Sequence, residues 1–216
     1  MAFAGGDRAF TPRERRLIAR LRTPHEVQAW LRDLPYNWEA TFRTFRGVVA
    51  NERAHCAEAM LFACAVLAEH GYPPLVLDLE SQDGLDHVLF LYRRAGRWGT
   101  VARSRDEGLH GRKPVFRTLP ALVRSYMDPY VDGEGRLVGY GVANLDTLVR
   151  SDWRLSMRSV WVVERALIAM PHTPIHMAER RYRRALTRFQ SFKARHPTPS
   201  ASDWRRHLAP QHHRWT

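Results

Sequence analysis

The chain has 216 residues, 44% of them apolar, and a formal charge of +12. That length and apolar share suffice for a full core and exclude a disordered chain, and no apolar run approaches the roughly 18 residues of a membrane span. All basic residues but Lys113 and Lys193 are arginine, and the excess sits late in the chain. Residues 1–149 carry 20 basic and 18 acidic side chains, whereas residues 150–216 carry 14 and 4.

The opening MAFAGGDRAF has neither the basic start nor the apolar run of a secretory signal. Residues 11–49 read as helical and polar, with Thr23-Pro24-His25-Glu26 as N-cap, proline at the first helical position and an acidic first turn. Residues 54–70 follow as an apolar helix rich in Ala, Leu, Met and Glu, without Gly or Pro until Gly71. His70 at its end suits the helix dipole. Cys56 falls in the first turn and Cys64 about 12 Å further along the axis, so the two thiols cannot pair. Free thiols and no signal predict a cytoplasmic protein.

Residues 75–79, 87–93 and 97–102 alternate as strands, the last two joined around Ala95-Gly96 as an antiparallel hairpin. Residues 118–131 and 157–170 return to helical spacing. Residues 175–195 read as one amphipathic helix: Ala178, Tyr182, Ala185, Leu186, Phe189 and Phe192 form its apolar stripe. Arg180, Arg181, Arg183, Arg184, Arg188 and Lys193 lie largely on the other faces. This division predicts an α+β domain over 1–150, a basic helical extension packed on it over 151–196, and a loosely ordered Pro- and His-rich tail over 197–216.

Cys56 and His87 carry the chemistry. A helix N-terminus supplies about half a positive charge and free N–H donors, which favour a thiolate and can hold the oxyanion formed when it attacks a carbonyl. His87, opening a strand two elements later, suits the role of base. Asn51, five residues upstream of Cys56, is the nearby amide side chain that could join the Cys56 backbone N–H as an oxyanion donor. Cys64, in mid-helix, reads as core, and His55 as a neighbour that could line the site.

The pieces His55-Cys56-Ala57-Glu58, Glu69-His70-Gly71-Tyr72-Pro73, Asp86-His87-Val88 and Gly96-Arg97-Trp98 stand in the order found in transglutaminase-like cysteine enzymes. Over residues 50–105 the chain resembles that superfamily. The resemblance implies a papain-like α+β core, with the cysteine helix packed on a small antiparallel sheet and further helices at both ends. It makes Cys56 the nucleophile and His87 its base, acting on an amide, peptide or ester carbonyl through an acyl-thioester. The family's orienting aspartate would fall at Ala102, so Ser104, Asp106 or Thr100 must serve instead, or the enzyme is weakened.

The 11 histidines make no zinc pattern: His172 and His176 are four apart but separated by Pro174, without a carboxylate or thiol to complete a set. No phosphate-binding loop surrounds Gly135, Gly139 and Gly141. The sequence therefore predicts a cofactor-free cysteine hydrolase, with hydrolysis preferred over transfer. The alternative is an inactive scaffold of the same fold that recruits an acidic partner through Arg180, Arg181, Arg183, Arg184 and Arg188. A nucleic-acid-binding role would rest on that charge alone.

Overall fold

The computed structural model describes residues 9–105, 107–132 and 135–195; the candidate orienter Asp106 and residues 196–216 lie outside them. The N-terminal zone is three helices rather than one helical run. Helix α1 (Pro12–Arg20) and α2 (Pro24–Asp33) each start on a Thr-Pro-x-Glu segment whose threonine accepts from the backbone N–H three residues on, while the glutamate returns to the threonine backbone. Helix α3 (Phe45–Asn51) stops where Glu52 turns left-handed, at φ 51°. Ala54 then bridges to Tyr36, so the next helix, α4 (Cys56–Ala68), begins at the cysteine itself.

The remaining elements are β1 (Leu75–Ser81), β2 (His87–Arg94), β3 (Arg97–Val101), β4 (Arg112–Phe116), α5 (Leu119–Tyr130), β5 (Leu137–Asn144), α6 (Leu145–Leu148), α7 (Trp161–Ala169), β6 (Thr173–Pro174) and α8 (Glu179–Arg195). All pairings are antiparallel, in the order β4-β3-β2-β1-β5-β6. Ala95 and Gly96, at φ 48° and 73°, make the tight turn between β2 and β3. The last helix starts at Glu179 instead of 175, because Thr173 and Pro174 are drawn into pairing with β5.

The sheet has helices on both faces, which is why β2 is buried over six consecutive residues. Val76, Val88, Phe90 and Tyr92 point toward α4, whose own side chains are buried on almost every side. Leu77, Leu79, Leu89 and Leu91 point the other way, onto Leu122, Val123, Tyr126 and Met127 of α5. Trp153, Val163 and Leu167 join the α4 layer, and Ala185 of α8 joins the α5 layer, so the chain beyond residue 150 supplies core on both faces. The fold is α+β. No helix among the described residues is long and apolar enough to cross a membrane.

Candidate functional site

The start of α4 is fixed from beneath by a buried carboxylate. Glu58 is 0% exposed and accepts from Asn37 Nδ2 (2.9 Å), Thr41 Oγ1 (2.6 Å), and the backbone N–H groups of Arg43 (3.0 Å) and His55 (3.3 Å). His55 is the N-cap residue, and its Nε2 lies 2.6 Å from Thr41 O. These bonds tie the first turn of α4 to the segment 37–43 and set Cys56 at the end of the sheet.

Cys56 is partly exposed and borders two cavities. The first, of about 390 Å³, lies between Phe42, the β1–β2 turn and α7; the second, of about 230 Å³, includes His87, Ser104 and Leu109. Cys56, Leu85 and Asp86 line both, so the cavities form one groove that passes over the sulfur. Burial pushes the Cys56 thiol up, and the Asp78 carboxylate adds to that, while the nearby backbone N–H groups of Val88, Ala57 and Cys56 act in the opposite direction. Cys64 is fully buried in α4, with its thiol pushed well above the ordinary range by burial.

His87 is 3% exposed, and its ring stands edge-on to Tyr126 on the α5 side of the sheet. Its Nε2 is 2.8 Å from Leu109 O. A carbonyl only accepts, so that contact puts the proton on Nε2 and makes Nδ1 the basic nitrogen of the neutral ring. The carbonyl is itself held in place: Arg112, fully buried, lies 4.1 Å from the Tyr126 ring and donates to Gly108 O and His110 O at 2.7 Å each, bracketing Leu109.

The other site residues expected from sequence are placed as follows. Ala102 is buried, and its N–H and C=O are both taken by Gln28 of α2, at 2.9 Å each. Ser104 lines the second cavity with His87. Thr100 is turned into the core, its Oγ1 2.6 Å from Tyr126 OH and 2.9 Å from Arg112 N. Asn51 is a correction: its Nδ2 donates to Gly47 O (2.8 Å) within its own helix, and it borders neither cavity.

Asp78 and His172 were passed over. Asp78 pairs with Val88 across β1 and β2, on the face that meets Cys56, and is 3% exposed. His172, just beyond α7, reaches its Oδ2 at 3.2 Å, while Oδ1 has no hydrogen-bond partner among the described residues. Burial, opposed by His172, pushes Asp78 up to about 6. The one sequence signal was a carboxylate in the middle of the apolar run LVLDL.

No protein-family model matches the chain, and no curated protein matches it in sequence.

Proposed function

We propose that the protein is a cysteine-dependent acyl-transfer enzyme with a papain/transglutaminase-like core, hydrolysing an amide, peptide or ester bond through an acyl-thioester. The observation that carries this reading is the place of Cys56 at the first position of a helix, bordering a cavity that His87 also lines. In this reading Leu109 O helps to orient the imidazole, since that role requires only an acceptor.

His87 Nδ1 takes the proton from Sγ as the sulfur attacks the carbonyl carbon. The oxyanion accepts from the N–H groups of Cys56 and Val88. The leaving amine or alcohol then takes the proton from His87, and a thioester remains on Cys56. Water attacks the thioester while His87 receives its proton, and the acid leaves with the thiol restored.

The test is p-nitrophenyl acetate followed by peptide mass mapping. The expected result is acetylation of Cys56, with release of nitrophenolate and slow deacylation, while His87→Ala slows acylation by about 100-fold. Acetyl groups found on surface amines alone, with Cys56 unmodified, would overturn the reading.

A further inference from the structure

In a chain of formal charge +12, the groove over Cys56 is acidic. The first cavity is bordered by Glu39, Asp78, Asp86 and Glu164 and by no arginine or lysine. Glu39 is matched by Arg43 and Arg53, and Asp78 meets His172 through Oδ2 alone, but the other two are not matched among the described residues. Asp86 Oδ1 accepts from the neutral Ser81 N–H (2.8 Å), which leaves its charge uncancelled. Glu164 has no ion-pair partner among the described residues. The basic excess is on the opposite layer of the molecule: the cavity on α8 is bordered by Arg180, Arg181, Arg184 and Arg188, with Asp128 as its sole acid.

Asp78 provides an observation independent of this charge count. Its side chain lines the first cavity and is more than nine-tenths buried, and Oδ1 lacks a donor among the described residues. A buried carboxylate oxygen without a donor is unfavourable, and a cationic donor entering the cavity would relieve that. The outer walls are apolar and exposed: Leu85 at 59%, Trp161 at 37% and Ile168 at 68%. The cavity thus combines inner negative charge with an apolar mouth beside Cys56.

We infer that the groove takes a basic peptide segment, with an arginine or lysine side chain directed at Asp78, Asp86 and Glu164 and a bulky apolar neighbour against Leu85, Trp161 and Ile168. This rests on the reading of Cys56 as the nucleophile, because it treats the groove as the substrate channel. A guanidinium or ammonium group fits because each supplies several N–H donors and a full positive charge, and an alkyl stem can lie along Val88 and Leu167.

The experiment is calorimetric titration of the Cys56→Ser protein, which cannot turn over, with three N-acetyl-phenylalanyl dipeptide amides ending in Arg, Gln or Glu. The expected order is Arg over Gln by about tenfold, with Glu the weakest; the Arg advantage shrinks as salt rises from about 0.05 to 0.5 M. Glu164→Gln, a charge change on the outer face of α7, reduces the Arg advantage about threefold. Equal binding of the three, preference for Glu, or no binding of any would overturn the inference. Each of those results leaves the acylation of Cys56 in the wild-type chain as a separate test of the catalytic reading.

Discussion

Asp78 stands where the neighbours Leu77 and Leu79 would suggest another apolar residue, and its cost to the fold depends on pH. Its carboxyl is raised from 3.8 to about 6, so the folded state binds the proton more tightly than the unfolded chain. The stabilisation this gives is complete below pH ~4 and is lost as pH rises through ~6, a swing of about 3 kcal/mol. Asp78→Asn removes the titration. Thermal unfolding should place the variant above the wild type at pH ~7.5, with the gap closing or reversing at pH ~4. Parallel curves at both pH values would contradict the assignment. At this scale the sequence marks Cys56 and His87 by side-chain type, and the two border one cavity. It was silent on backbone partners: Leu109 O, which meets His87 Nε2, carries no residue-type signature, and the pairing of Asp78 with His172 spans 94 positions.

Helix α4 is the element on which the site depends, and Glu58 is the residue on which α4 depends. Its two oxygens accept from two side chains and from the backbone N–H groups of Arg43 and His55. Glu58→Gln turns one acceptor into a donor facing donors, a cost of about 3 kcal/mol that should lower the melting temperature by about 8 °C. Amide exchange at the first turn of α4 should rise with it, and an unchanged melting temperature would contradict this role. The elements legible in the sequence were those with one dominant period or a clear punctuation. Helix α4 ends near Gly71 (φ 83°), and the β2–β3 hairpin shows in its Ala95-Gly96 turn. Strands β4 and β5 were not legible. Pro114 interrupts the first, and Gly139 and Gly141 interrupt the second. The gap between the helical zone ending at 49 and the helix from 54 was legible, but nothing in Asn51-Glu52-Arg53-Ala54 marks the left-handed turn at Glu52 itself.

Across the whole molecule, charge and reactivity are both segregated. Arginines gather on α8 against the α5 layer, while carboxylates border the groove at the end of the α4 layer. The two thiols divide in the same way, Cys56 open to that groove and Cys64 at 0% exposure within the core. Alkylation by iodoacetamide across a pH series, read by peptide mapping, therefore tests the nucleophile and its base in one measurement. Cys64 should remain unmodified until the protein unfolds. Cys56 should react already at pH ~7, although burial raises its thiol, because His87 takes the proton. His87→Ala should slow Cys56 by about tenfold or more at pH ~7 and approach the wild-type rate as the pH is raised far enough for the sulfur to ionise unaided. Equal, slow labelling of both cysteines, or a His87→Ala profile that matches the wild type at every pH, would contradict the pairing of Cys56 with His87.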